Sequence, residues 1–262
     1  MSPPVSKIEA DLFSASGIAP AGHGRSPAAT RHRQPPAASE RQVVTRQRVA
    51  DHGEVLTGQR EVNAMLDLVQ QETERIDSRF LEPACGDGNF LAEILRRKLR
   101  VVESRYRKSQ LEYERHAVLA VSSLYGIDIL PDNVVACRNR LAEIFECAYA
   151  QRFKKKAKPE CVAAARYILD RNIIHGDALT LKTVGGNGQP IVFTEWTFPF
   201  HNSLIKRREF SFSDLLPGES SGKGTPDLFA APPLYSDLGE RAFLPRERKT
   251  HPPIHFLRLA RP

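Results

Sequence analysis

Two glycines, Gly86 and Gly88, stand between a short apolar run beginning at Phe80-Leu81 and a stretch whose apolar residues Phe90, Leu91, Ile94 and Leu95 recur at helical spacing. Residues without a Cβ let a ligand come up against the backbone. The first turn of the helix that follows offers N–H groups with no partner inside the helix. A strand, a small-residue turn and a helix start together make a corner of the kind that binds a nucleotide. A second chemistry-bearing residue, Asp128, ends the apolar run 124–129. Its two carboxylate oxygens can accept hydrogen bonds from both hydroxyls of an adenosine ribose, as in dinucleotide sites. Other chemistries find little support. Cys85, Cys137, Cys147 and Cys161 form no C-x-x-C pair, and the histidines are not clustered, so neither a zinc site nor a disulfide framework is expected.

These residues need elements to hold them. Periodicity predicts a strand from residue 80, a helix over 89–106 and a second helix over 110–124. A strand over 124–129 follows, then a helix over 133–149 opened by Pro131-Asp132. Lys154-Lys155-Lys156-Ala157-Lys158 reads as an exposed loop, with a loop lying along DNA as the alternative. After it come a short helix over 160–169 and a strand from Asn172 to Gly176-Asp177. Alternating strands and helices across 80–180 are the pattern of a parallel α/β sheet with a ligand at its carboxyl edge. Upstream, a helix over 60–74 is expected, with Val62, Met65, Leu66 and Val69 on one face. Residues 1–40, rich in Pro, Ala, Ser and Gly, read as a disordered leader, 41–216 as the folded domain and 217–262 as a low-order, proline-rich tail.

Composition sets outer bounds. The chain has 262 residues, 41% of them hydrophobic, enough for one sizeable core. No apolar run approaches membrane-spanning length and no basic stretch precedes an apolar one at the N-terminus, so a cytoplasmic protein without a secretory signal is expected. A net charge of +7 favours a polyanionic partner such as nucleic acid, although charge alone also fits a moderately basic protein with no such partner.

The string Glu82-Pro83-Ala84-Cys85-Gly86-Asp87-Gly88-Asn89-Phe90-Leu91 resembles the first motif of the N6-adenine DNA methyltransferases of bacterial restriction-modification systems, (D/E)-P-A-C-G-(S/D)-G-x-F-L. Gly126-Ile127-Asp128 resembles that family's second motif, and His175-Gly176-Asp177-Ala178 its third. Gly53, Glu54 and Thr57 agree with its upstream G-E-x-F-T-P motif, whereas Leu56 and Gly58 depart from it. The resemblance covers about residues 46–182. It implies a Rossmann-like core that binds S-adenosylmethionine, with double-stranded DNA and restriction-modification subunits as partners, no metal and no membrane. Carried over residue by residue, it assigns the cofactor to Thr57, Glu82, Ala84, Gly86, Gly88, Asp128, Ile129, Asp177 and Ala178. Glu82 would position the amino group or the turn, Gly86 admit the cofactor, Asp128 hold the ribose, and Asp177 face the adenine.

The family's catalytic motif, (N/D/S)-P-P-(Y/F/W), has no counterpart. An Asn or Asp oxygen and a Pro carbonyl there accept the two hydrogens of a flipped-out adenine's N6, turning its lone pair towards the methyl group. This chain offers only Ala231-Pro232-Pro233-Leu234-Tyr235. Two readings stay open. One is a DNA adenine-N6 methyltransferase, or its cofactor-binding subunit with the catalytic strand supplied by a partner chain. The other is an inactive methyltransferase-like scaffold or regulator of a restriction complex. An NAD-dependent oxidoreductase shares the turn and Asp128 but would need a third glycine, which the fingerprint here lacks.

Overall fold

In a computed structural model, the described residues are 46–52, 55–185, 187–199, 202–213 and 247–261, all within the unit Glu40–Pro262. The expected leader, the Gly53-Glu54 pair and Ala231–Tyr235 lie outside them.

The parallel strands β1 (Phe80–Glu82), β2 (Leu124–Asp128) and β3 (Ile173–Asp177) lie side by side in that order. A two-residue strand, β4 (Lys182–Thr183), runs antiparallel to β3 at the far edge. Phe80 is level with Leu124, and Asp128 with His175. The long helices are α4 (Asn89–Tyr106), α5 (Gln110–Ser122), α6 (Pro131–Phe153) and α7 (Pro159–Asn172). They occupy the connections that parallel strands require. Three shorter helices precede β1: α1 (Arg46–His52), α2 (Gln59–Asp67) and α3 (Gln70–Thr73).

Successive strand side chains point to opposite faces, and here the two faces meet different partners. Leu124 and Ile173 join the core built by Leu91, Leu95, Val121, Leu141, Phe145 and Ile168 of the helices. Tyr125, Ile127 and Ile174 point the other way, onto Ile191, Phe193 and Phe212. That second cover comes from an antiparallel sheet of β5 (Val192–Thr197), β6 (Leu204–Ser211) and β7 (Glu247–His255), in that order. The molecule is therefore mixed α/β, with a mostly parallel sheet covered by helices on one side and by a second sheet on the other.

Three expectations need correction. The tail expected over 217–262 does not hold at its end: β7 pairs along β6, and Phe256 just beyond it is fully buried in the helix-side core. Its charged residues and Pro252-Pro253 disguised it, because an outer strand tolerates both. The helix expected over 60–74 breaks at Leu68-Val69, where Val69 leaves helical geometry. Of its four predicted face residues, Val62 and Leu66 are buried, whereas Met65 and Val69 are exposed. The third correction is to length: α6 and α7 run past their predicted ends, to Phe153 and Asn172.

Candidate functional site

The carboxyl ends of β1, β2 and β3 carry Glu82, Asp128 and Asp177, so three acidic residues from separate strands stand along one edge of the sheet. The glycine turn follows β1 directly. Gly86 and Gly88 have φ of +52° and +90°, the left-handed region that side chains rarely adopt. Gly88 is also packed tightly, since a Cβ there would stand 2.7 Å from the Cys137 sulfur. The Cys85 thiol hydrogen-bonds to that of Cys137, and this contact together with burial drives the Cys85 pKa far up, so Cys85 is an inert packing group and both cysteines lie buried beneath the turn.

Asp128 is nearly buried, at 7% exposure. Its Oδ2 accepts from the Gly86 N–H at 2.8 Å, while Oδ1 accepts from the Leu130 N–H at 2.9 Å and from the Asn133 side-chain amide at 3.3 Å. The carboxylate thus braces the glycine turn against the start of α6. A carboxylate has about four acceptor positions, which leaves roughly one for a ligand. Glu82 is half-buried, and burial holds its carboxyl above the usual carboxylate range, with the Ala84 N–H acting in the opposite sense. No cation pairs with it among the described residues.

Asp177 is turned into its own loop. Its oxygens accept from the Leu179 N–H at 2.8 Å and the Thr180 hydroxyl at 3.0 Å, and these bonds hold its carboxyl below the usual range. Ala178 beside it packs into the second-sheet core. Ile129 is 46% exposed at the end of β2, and its carbonyl meets His175 Nε2 at 3.0 Å, which makes His175 a strand-end support. Ala84 is exposed on the same edge.

The segment before β1 folds over this edge. The Thr57 carbonyl accepts from Asn89 at 3.0 Å, and Leu56 packs onto Gly86, its Cδ2 lying 3.2 Å from where a Cβ would stand. From α1, Arg48 bonds Asn133 at 3.1 Å and pairs with Asp132, whose carboxyl that guanidinium lowers. Arg140 of α6 reaches back to Asp87 at 3.0 Å and also donates to Asn89. Eight of the nine residues singled out in the sequence gather around one carboxyl edge; Gly88, the ninth, lies buried beneath the turn as its steric hinge. Sequence reading missed Arg48, Asn133 and Arg140, which brace the edge from outside. Only the i, i+7 spacing of Asn133 and Arg140 on one predicted helix hinted at a shared face.

The arrangement can take up a ligand with a cationic end beside Glu82 and hydroxyls beside Asp128. Among the described residues, no group of three or more His, Cys, Asp or Glu side chains could hold a metal ion, and no helix is long and apolar enough to cross a membrane. Comparison with family models, with curated proteins and with solved structures finds no match.

Proposed function

We propose that this chain has a Rossmann-like core and is the S-adenosylmethionine-binding part of a DNA adenine-N6 methyltransferase of the restriction-modification kind. The observation that carries the reading is the Gly86–Asp128 hydrogen bond: the glycine turn after the first strand is bonded to the acid that ends the second. The residues fit the group on two counts. Glu82 is half-buried without a cationic partner among the described residues, so a ligand ammonium beside it would offset its burial. The left-handed glycine backbone leaves room for close approach over Gly86 once Leu56, the flexible side chain packed there, swings aside.

When bound, S-adenosylmethionine supplies a methyl group on a sulfonium, electrophilic enough for an amine lone pair to take. This chain's residues bind and orient. Glu82 holds the amino end by charge, Asp128 accepts from a ribose hydroxyl while keeping the turn in register, and Asp177 with Ala178 borders the adenine. The acceptor pair for the target base's amino hydrogens is not among them, because the sequence has no N-P-P-Y string. Methyl transfer to double-stranded DNA then calls for a partner chain that contributes those acceptors.

The test is a calorimetric titration with S-adenosylmethionine, repeated on Asp128→Ala, followed by methyl transfer to DNA with and without restriction subunits. Binding that weakens on substitution, together with transfer only in the mixture, supports the split enzyme. Absence of binding at about millimolar cofactor, a free energy weaker than roughly 4 kcal/mol, sinks it. The missing acceptor motif also favours a second reading, a regulatory scaffold. Cofactor binding and co-purification with restriction subunits, without transfer in any mixture, would select it.

A further inference from the structure

A cavity opens at the amino-terminal end of the parallel strands, opposite the glycine edge. It has a volume of about 430 Å³ and lies between the segment entering β1, the facing ends of α4 and α5, and the end of β5. Four arginines line it, Arg75, Arg79, Arg105 and Arg115, with Asp77 in the lining and Glu72, Glu195 and Glu112 paired to three of them from outside it.

Arg79 is taken up by Glu195 at 2.5 Å and offers no charge to a ligand. Arg105, in the last turn of α4, makes no hydrogen bond or ion pair with any described residue. Arg75 pairs with Glu72 and Asp77 across exposed surface, at 3.7 and 3.2 Å. Such exposed pairs contribute little, so breaking them for a ligand phosphate costs little. Arg115 is held by Glu112 at 2.7 Å with only 15% of its side chain exposed, so its position is largely fixed before anything binds.

Two aromatic rings also line the cavity. Tyr106 and His116 stack with ring centroids 3.6 Å apart and planes 9° from parallel. A guanidinium cluster beside a stacked aromatic face suits a planar ring that carries a phosphate. The volume lies within the range of small-molecule sites.

We propose that this arginine-lined cavity binds a free nucleotide, with its phosphates on Arg75, Arg105 and Arg115 and its base against the Tyr106–His116 stack. The site is separate from the glycine edge and does not depend on what that edge binds.

The experiment is calorimetric titration of the full chain with AMP and ATP, with adenosine and inorganic pyrophosphate as ring-only and phosphate-only probes. It is repeated on Arg105→Gln, Arg115→Gln and Asp128→Ala. Arg105 is exposed, so its variant keeps the fold even if Arg115→Gln does not, and circular dichroism checks both. The expected result is sub-millimolar nucleotide binding that weakens about tenfold in Arg105→Gln, as loss of a charge-assisted contact predicts. Asp128→Ala should leave it unchanged, pyrophosphate should bind more weakly and adenosine hardly at all. Failure of both nucleotides to bind at roughly 5 mM overturns the proposal. So does binding that survives Arg105→Gln but is lost in Asp128→Ala, which would place the nucleotide at the glycine edge. A single-stranded oligonucleotide that binds with the same arginine dependence while mononucleotides do not would also overturn it, marking a nucleic-acid surface instead.

Discussion

The backbone N–H of Gly86 donates to Asp128 Oδ2 at 2.8 Å, joining the turn after β1 to the end of β2 across 42 residues of chain. The same carboxylate receives Leu130 and Asn133, so one buried side chain fixes a turn, a strand end and a helix start. Whatever the edge binds, its shape depends on this carboxylate.

Asp128→Ala should therefore act on stability as well as on binding. It leaves the Gly86 and Leu130 N–H groups without an acceptor in a nearly buried place. That costs about 1–3 kcal/mol. Asp128→Asn keeps one acceptor oxygen and should lose less. Urea unfolding followed by the fluorescence of Trp196, the chain's one tryptophan, measures both. Equal stabilities for wild type and Asp128→Ala would mean that the carboxylate does not brace the turn.

Gly88→Ala meets two obstacles at once. Its φ of +90° is strained for any side chain, and the new Cβ would lie 2.7 Å from the Cys137 sulfur in a packed wall. Overpacking of this kind typically costs about 1–3 kcal/mol, with about 1–2 more for the backbone. Gly185 has a similar φ of +82° and nothing within 4 Å, so Gly185→Ala should show the backbone cost alone. Adding Cys137→Ala to Gly88→Ala should recover the steric share. A double-mutant cycle without coupling between positions 88 and 137 would refute the packing account.

Much of this was readable before the structure. Residues 80–177 alternate between strand and helix periods, and each acid of the edge ends an apolar run; the observed α4 has the bounds its periodicity predicts. The second sheet was not readable. β6 carries Lys206-Arg207-Arg208-Glu209 in mid-strand, and its partner β7 begins 36 residues after β6 ends, so no local pattern marks the pairing. The bracing of the edge by Arg48 and Arg140 was hidden for another reason. Long-range contacts of part-buried arginines are set by tertiary approach, and periodicity reports only on apolar burial.

Lys98 should give the stability a recognisable pH dependence. Its ammonium is fully buried and donates to the carbonyls of Ile76 and Ser78 and to the Ser123 hydroxyl, yet burial outweighs these acceptors and lowers its pKa to about 7. In the unfolded chain the group titrates near 10.4. Between the two values the unfolded chain holds a proton that the folded chain has released, so this group's contribution makes stability rise with pH. The limiting slope is about 1.4 kcal/mol per pH unit, and below about pH 7 the contribution is flat. Buried thiols oppose the trend above roughly pH 8.5, where unfolded cysteines ionise first. The clean readout is the stability difference between wild type and Lys98→Met over about pH 7–8.5, which should grow with pH. A difference independent of pH would show that Lys98 keeps its proton in the fold.

Phe256 tests whether the C-terminal segment belongs to the cooperative unit. Its ring is fully buried, meets Phe198 edge-on at 6.2 Å between centroids, and its N–H donates to the Ser203 carbonyl at 2.9 Å. The ring sits in the same core as Ile168 and Leu141, so its removal leaves a cavity in the helix-side layer rather than at the surface. Phe256→Ala should cost about 3–5 kcal/mol. Ile254→Ala two residues earlier, at a side chain 39% exposed, should cost under about 1 kcal/mol. Ending the chain after residue 246 removes β7 as well and strips β6 of one of its two neighbours, so that form should unfold at lower urea than Phe256→Ala. If Phe256→Ala unfolds within about 1 kcal/mol of wild type, residues 247–261 lie on the domain without stabilising it, and the domain ends at the second strand of the antiparallel sheet.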